Sequence, residues 1–152
     1  MGKAMFYHLT RDPVEETLTM LLGKAQGAGW RVLVRGTSQE RLEWFDAQLW
    51  LGPEDCFLPH GLAGGPQDAQ QPVLLSTGDA RPNGATCVMS VDGARVSPDE
   101  VQALERTCVL FDGNDAQALD VARAQWLELK AAGVTAEYWS QDSGRWEKKA
   151  QT

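Results

Sequence analysis

The sequence predicts a single α/β domain in which helices flank a mainly parallel central sheet. Its 152 residues match the usual size of one domain, and 43% of them are apolar, which is enough for a substantial core. Short apolar runs alternate along the chain with longer segments of helical periodicity. Some of these runs are continuous, as in strands that are covered on both faces, so the sheet is expected to be mainly parallel.

The first strand and helix are predicted at the N-terminal end of the chain. Residues 4–9 are rich in aromatic side chains, which is typical of a strand. Asp12 is placed to cap the helix that follows, Pro13 suits its first turn, and Gly27 lies near its end. The apolar residues at helical spacing are Val14, Leu18, Leu21, Leu22 and Ala25.

A second strand and helix repeat this order. Residues 32–34 form a continuous apolar run, and Thr37 or Ser38 can cap the helix that follows. That helix is expected to reach about residue 51. Beyond it, residues 52–72 are rich in proline and glycine, which predicts a long loop that is at least partly ordered. The apolar face of the second helix consists of Leu42, Phe45 and Leu49.

The rest of the chain continues the alternation of strands and helices. A short helix opens at Ser97, and Asn114 or Asp115 caps a longer one. The single domain is expected to span residues 1–147 and to be followed by a frayed basic tail over residues 148–152. Further strands are predicted over residues 73–75, 86–91, 107–111 and 134–139.

Charge and apolar patterning exclude several classes of protein. The net charge is −7, and because nucleic-acid-binding proteins usually have a basic surface, direct binding of DNA or RNA is disfavoured. No apolar run approaches the ~20 residues of a membrane-spanning helix, and residues 1–7 do not resemble a signal peptide. Cys56, Cys87 and Cys108 are widely spaced, which favours buried free thiols in a reducing cytoplasm. We therefore expect a cytoplasmic protein without a membrane partner.

The residues that could perform chemistry predict no active site. The chain has neither a phosphate-binding GxxxxGK[ST] loop nor a GxSxG nucleophile motif. Asp12 follows the first strand at the place where nucleotide-binding folds have glycine, and its carboxylate would repel phosphate. Cys56 precedes His60 by four residues, but a small apolar role beside the loop is favoured over a thiolate–imidazole pair. The other histidine of the chain is His8, in the first strand, so two histidines at most could serve as metal ligands. No metal and no cofactor are therefore expected.

Aromatic side chains are the most informative residues of the sequence. Among its six tryptophans, Trp44 and Trp50 flank the apolar face of the second helix. Their pattern favours a core role at the end of that helix over the alternative, a protein-binding patch. Arg123 and Trp126 are neighbours on the long helix, where packing of the arginine stem on the ring is the common arrangement. The alternative is a pocket in which Trp126 holds an apolar side chain and Arg123 holds a carboxylate.

Several segments together resemble the chi subunit family of bacterial DNA polymerase III. The resemblance covers nearly the whole chain, and its most specific part lies between residues 49 and 64. The segments are FYHL at residues 6–9, RVLV at 31–34, DAQLW at 46–50 and CFLPHGLAG at 56–64. The closing pattern consists of Ala122, Arg123, Trp126, Lys130, Ala132, Gly133, Val134 and Trp139.

The resemblance implies a Rossmann-like fold and a non-catalytic adaptor of the DNA polymerase III clamp loader. The implied partners are the psi subunit, in a 1:1 heterodimer, and the acidic, apolar C-terminal tail of single-stranded DNA-binding protein, so DNA is reached only indirectly. The positions that match the psi-binding surface are Trp50, Phe57, Pro59 and His60. The positions that match the pocket for the tail are Arg123, Trp126 and Lys130.

The sequence departs from the family at two positions of the long helix. Leu119 and Leu127 stand where other members have lysines, so apolar contacts are expected to supply a larger share of tail binding. An alternative interpretation is a degenerate nucleotide-binding or helicase-like α/β domain, which residues 31–50 also resemble. The missing phosphate-loop glycines and lysine argue against that alternative.

Overall fold

The computed structural model describes residues 2–50, 60–78, 80–141 and 145–152. Four helices occur in these ranges: α1 (Val14–Gly27), α2 (Gln39–Trp50), α3 (Pro98–Ala103) and α4 (Ala116–Ala131). The strands are β1 (Ala4–Leu9), β2 (Val32–Arg35), β3 (Gly61–Leu62), β4 (Val73–Ser76), β5 (Cys87–Ser90), β6 (Arg106–Asp112), β7 (Ala136–Ser140) and β8 (Glu147–Gln151). A single 3₁₀ turn over Asp68–Gln70 lies in the described part of the predicted loop.

The eight strands form one sheet in the order β3-β4-β2-β5-β6-β1-β7-β8. Every pairing is parallel except that of β7 with β8, which is antiparallel. The predicted α/β class with a mainly parallel sheet is therefore confirmed. None of the helices in the described ranges has the length and apolar character needed to cross a lipid bilayer.

Helices cover both faces of the sheet and create two apolar clusters. Along β1, Met5 and Tyr7 point into the cluster beneath α1 and α2, whereas Phe6 points into the cluster beneath α3 and α4. This alternation follows from the two-residue period of a strand. Because both faces are covered, β1 is apolar at nearly every position and β6 is apolar from Cys108 to Phe111, as expected for strands without a solvent-facing side.

The helix caps follow the sequence prediction at α2, α3 and α4 but not at α1. Ser97 Oγ accepts a hydrogen bond from the Glu100 amide at 3.2 Å, and Asp115 Oδ1 accepts one from the Gln117 amide at 2.9 Å. Ser38, one of two predicted candidates, accepts from the Arg41 amide in the same way at α2. Such bonds satisfy amides that have no partner inside a helix.

Asp12 does not cap α1, so that prediction is wrong. The N-cap position is held by Pro13, with no side-chain capping bond. Asp12 instead accepts a hydrogen bond from Gln141 Nε2 at 2.8 Å, and its amide donates to Gln141 Oε1. Gln141 directly follows β7, so these hydrogen bonds connect the β1–α1 loop to the end of that strand.

The C-terminal residues do not form the frayed tail that the sequence suggested. Residues 147–151 form β8, which pairs with β7 and so provides hydrogen-bond partners for its outer edge. Thr152 continues the contact, since its Oγ1 donates to the Val134 carbonyl at 2.8 Å and accepts from the Ala136 amide at 2.9 Å. The sequence did not predict this strand because its composition is polar, and an edge strand can form without an apolar face.

Two partly buried ionic contacts connect distant parts of the fold. Arg35, at the end of β2, donates from Nη1 and Nη2 to the two carboxylate oxygens of Glu100 at 2.6 and 2.9 Å, which joins the sheet to α3. Glu137 on β7 accepts from Lys3 Nζ and from Trp139 Nε1, both at 3.1 Å. Burial acts to raise the pKa of Glu137, but these hydrogen bonds and the nearby ammonium charges outweigh it, so the pKa is lowered.

Two of the three cysteines behave as the sequence predicted. Cys87 and Cys108 are buried free thiols on neighbouring strands. A hydrogen bond with Cys87, together with burial, raises the pKa of the Cys108 thiol, so the thiol form is favoured. Cys56 lies outside the described residues.

Candidate partner-binding surfaces

The first candidate surface is formed by Trp50 and His60, where α2 ends and β3 begins. Trp50 is the last residue of α2, and 54% of its surface is exposed. Its ring lies 4.3 Å from the ring of His60, centroid to centroid, at an angle of 40°. His60 is buried, and its Nε2 lies 3.2 Å from Asp46 Oδ1 and 3.3 Å from the Asp46 carbonyl oxygen. The exposed indole is thus supported by a fixed imidazole.

The preference for a core role at Trp44 and Trp50 is wrong. Trp44 is 36% exposed and Trp50 is 54% exposed, whereas Leu49 and Phe45 are buried. The apolar face of α2 is narrow enough to be filled by Leu42, Phe45 and Leu49, and the adjacent positions therefore point towards solvent. Phe57 and Pro59, which also match the psi-binding surface of the family, lie outside the described residues.

The second candidate surface lies along α4 and includes Arg123, Trp126 and Lys130. These residues recur at intervals of three and four, so they lie on one face of the helix together with Leu119 and Leu127. Leu127 is 63% exposed and so adds apolar surface beside the half-buried ring of Trp126. Arg123 and Lys130 are exposed as well. The surface therefore combines two cations with apolar side chains.

Trp126 is held in place by two aromatic residues of the sheet. Its ring makes edge-to-face contacts with Phe6 on β1 at 5.4 Å and with Tyr138 on β7 at 5.8 Å. Tyr138 is fixed in turn by a 2.8 Å hydrogen bond between its hydroxyl and His8 Nδ1. Aromatic contacts of this geometry stabilise a ring beyond the area they bury. Trp126 is therefore a rigid, half-buried wall.

The guanidinium of Arg123 makes no polar or cation–π contact within the described part of the chain. It forms no hydrogen bond or ion pair with any residue that the structure describes, and it does not stack on the Trp126 ring. An exposed guanidinium beside a rigid indole has the two parts needed to hold a carboxylate and an adjacent apolar side chain. The pocket formed by Arg123 and Trp126 stays a prediction.

Sequence reasoning missed Phe6 and Tyr138 as parts of the second surface. Phe6 and Tyr138 are register partners in the parallel β1–β7 pair and stack at 6.5 Å, although 132 positions separate them. The two-residue period of each strand indicated which residues share a face, but the pairing of β1 with β7 depends on the sheet order. Nothing in the local sequence encodes that order.

The two surfaces lie on opposite faces of the sheet and towards its opposite ends. The buried residues of α2 belong to the cluster on one face, and those of α4 belong to the cluster on the other. Trp50 and His60 adjoin β3, the first strand of the sheet, whereas Trp126 contacts β1 and β7. At ~4.8 Å between neighbouring strands, β3 and β7 are roughly 29 Å apart.

The described residues contain no group of three or more histidine, cysteine, aspartate or glutamate side chains that could hold a metal ion. His8 is engaged with Tyr138, and His60 with Asp46 and Trp50. Both histidines thus support aromatic residues of the two candidate surfaces.

Comparison with known proteins gives two findings. Residues 1–137 match the family model described as "DNA polymerase III chi subunit, HolC". A relative from Rickettsia prowazekii (strain Madrid E), named "Probable DNA polymerase III subunit chi", is 23% identical over 117 residues. That alignment covers 74% of this chain and 71% of the relative.

Proposed function

The chain belongs to the DNA polymerase III chi subunit family, and from that membership we propose that it is a non-catalytic adaptor with two partners. On this proposal the surface of Trp50 and His60 binds the psi subunit in a 1:1 heterodimer and so connects the chain to the clamp loader. The α4 surface binds the C-terminal tail of single-stranded DNA-binding protein. The protein works with the replication machinery in the cytoplasm and reaches DNA only through that tail.

The chemistry of the α4 surface supports an acidic, apolar chain end as its ligand. A C-terminal carboxylate can accept two parallel hydrogen bonds from the Arg123 guanidinium, which no described residue occupies. An apolar side chain next to that carboxylate finds the indole of Trp126, held by Phe6 and Tyr138. Lys130, two turns along the same face from Arg123, is placed to attract acidic residues further up the tail.

The exposed indole of Trp50 supports the psi-binding role. Tryptophan residues that are preorganised on a surface commonly become the anchors of protein–protein interfaces. Trp50 is preorganised because its ring rests on buried His60, which Asp46 holds in turn. We assign Phe57 and Pro59 to the same surface from the family resemblance.

The observation that carries the adaptor proposal is the separation of the two surfaces. An adaptor must hold both partners at once, and surfaces on opposite faces of the sheet, roughly 29 Å apart at ~4.8 Å per strand, do not compete for space. Two overlapping surfaces would have made the partners mutually exclusive.

A sequential capture experiment tests the proposal. Single-stranded DNA-binding protein, either full-length or without its C-terminal tail, is immobilised, and the chain and then the psi subunit of the same organism are passed over it. We expect only the full-length protein to retain the chain, and psi to be retained only when the chain is present. Equal retention by the tail-deleted protein, or release of the chain when psi arrives, would contradict the proposal.

A further inference from the structure

A crevice at the carboxyl ends of β1 and β6 belongs to neither of the two surfaces. The two strands are neighbours, but α1 leads from β1 to β2 on one side, and α4 leads from β6 to β7 on the other. Open α/β sheets bind ligands at such a divergence of connections. The cavity there has a volume of about 780 Å³, within the range of ~300–1,000 Å³ usual for ligand-binding clefts.

The cavity combines an apolar floor with exposed apolar side chains. Leu110 and Phe111 of β6 lie among its lining residues, and so does Val14 of α1. Trp44 and Val121, two of the large apolar side chains that the described residues expose, also line it. Apolar groups exposed beside a cavity are typical of surfaces that bind another molecule.

The lining has an excess of three negative charges, which indicates a cationic ligand. At the start of α4, Asp115 already accepts hydrogen bonds from the first free amides. The start of α1 has no side-chain cap, but Glu15 and Glu16 place two negative charges in its first turn. Within the described part of the chain, Glu15 has no ion pair. The five carboxylates are those of Asp12, Glu15, Asp92, Asp112 and Asp115, and the two guanidinium groups are those of Arg11 and Arg41.

One wall of the crevice already binds a guanidinium. Arg41 donates from Nε and Nη2 to the two carboxylate oxygens of Asp92 at 3.0 and 3.3 Å. The same group lies over the ring of Trp44, 4.5 Å from its centroid. A carboxylate beside an aromatic face is thus an arrangement that this wall provides for an arginine side chain.

A buried polar atom in the adjoining loop also lacks a partner. Thr10 lines the cavity, and its Oγ1 is inaccessible to solvent and makes no hydrogen bond with the described residues. Buried hydroxyl groups are normally hydrogen-bonded, and each exception requires an explanation. Because solvent does not reach this oxygen, it is a feature of the packing of the loop and not a contact point for a ligand.

We propose that the crevice is a docking site for a basic segment of a partner protein, separate from the adaptor surfaces. An arginine or lysine side chain of that segment enters the cavity towards Glu15 and Asp112. Neighbouring apolar side chains of the segment pack on Trp44 and Val121. The site lies at the end of the sheet where α2 begins, whereas Trp50 ends that helix, so this segment and psi do not meet.

Titration of the isotope-labelled chain with short peptides tests the proposal. The probe is acetyl-Leu-Arg-Leu-amide, with acetyl-Leu-Gln-Leu-amide as its neutral control, and amide chemical shifts are followed by nuclear magnetic resonance. We expect the arginine peptide to shift the amides of residues 10–15 and 112–115 and to bind at least ~10-fold more tightly than the glutamine peptide. That factor corresponds to one charge-assisted contact.

A pair of matched double variants separates the crevice from net charge. Glu15→Gln with Asp112→Asn removes two charges from the cavity, whereas Glu16→Gln with Asp120→Asn removes two exposed charges outside its lining. We expect the first pair of substitutions to weaken binding of the arginine peptide ~10-fold and the second pair to have little effect on that binding. Trp44→Leu, which changes no charge, should also weaken binding of the peptide. This variant provides a second test if the first pair of substitutions prevents folding.

Three results would overturn the proposal. Equal weakening by both double variants would assign the attraction to the overall charge of −7. Chemical shifts confined to the α4 surface would assign the peptide to the tail site. Binding of free arginine amide as tight as that of the peptide would make the crevice a small-molecule site rather than a docking site for a protein segment.

Discussion

Replacing Trp50 with alanine should weaken binding of the psi subunit by about two orders of magnitude. The residue is 54% exposed, and a tryptophan can bury ~220 Å², so roughly 120 Å² of it is available to a partner. At ~25 cal/mol per Å², this area contributes about 3 kcal/mol to binding. That free energy corresponds to a factor of roughly 100 to 200 in Kd.

The domain should remain folded when Trp50 is truncated. The buried part of the side chain is roughly 100 Å², which limits the loss of unfolding free energy to about 2–3 kcal/mol. Domains of this kind have ~5–15 kcal/mol available. Isothermal titration calorimetry with psi measures the Kd, and urea unfolding followed by circular dichroism measures the unfolding free energy.

Trp44→Ala is the matched control for this prediction. Trp44 is the other exposed tryptophan of α2, but it lies at the crevice end of the helix, away from His60. Its truncation should leave the Kd for psi within about threefold of the native value. The reasoning would be refuted if Trp50→Ala also stayed within threefold while remaining folded, or if both variants weakened psi equally.

Three further predictions concern stability and nucleic acid. Arg35→Met should lower the unfolding free energy by about 2 kcal/mol in urea because the half-buried Glu100 carboxylate loses its bidentate partner, although it retains the contact with Arg81 Nε at 3.5 Å. A loss under ~1 kcal/mol, or no recovery with Glu100→Leu added, would count against this. Because the pKa of Glu137 is lowered on folding, ionised Glu137 stabilises the fold above its unfolded pKa, and this stabilisation is lost as the pH falls through its folded pKa. Glu137→Gln should therefore make the unfolding free energy less dependent on pH in the acid range, and an unchanged dependence would refute the lowered pKa. The chain alone, with its net charge of −7, should not retain single-stranded DNA at moderate salt in a gel shift, and tight, salt-sensitive retention would contradict that expectation.

Elements governed by local periodicity were predictable from the sequence. The helix α4 has its cap at Asp115, one of the two candidates that the sequence offered, and it buries Ala122 and Leu129 at helical spacing. The central strands β2 and β6 are continuous apolar runs because both of their faces are covered. In these elements the local pattern and the tertiary environment require the same residue types.

Features that depend on competition between distant groups were not predictable. Asp12 has the composition of a helix cap, but Gln141, which lies beside it only after folding, binds its carboxylate. The strand β8 is polar, and its existence depends on the free edge of β7. The exposure of Trp50 depends on how much of the α2 face the sheet can cover, which periodicity alone does not determine.

The candidate surfaces were predictable only in part. The resemblance to the chi family identified Arg123 and Trp126, and the helical spacing made them neighbours. The supporting residues Phe6 and Tyr138 were missed because their contact is created by the order of the strands. The crevice was missed for the same reason, since residues 10–15 and 112–115 meet only where β1 and β6 are adjacent.

The most direct test of the adaptor role is a double-mutant cycle between Arg123 and the terminal carboxylate of the single-stranded DNA-binding protein tail. The affinity of a synthetic tail peptide, with a free or an amidated C-terminus, is measured for the native chain, for Arg123→Ala, and for Lys24→Ala as a control on the opposite face of the sheet. On the native chain and on Lys24→Ala, amidation should cost about 1.5–3 kcal/mol, or roughly 10- to 150-fold in Kd. Once Arg123 is removed, amidation should cost little more. If amidation instead weakens the peptide as much on Arg123→Ala as on the native chain, Arg123 does not hold the carboxylate and the proposed tail site is contradicted.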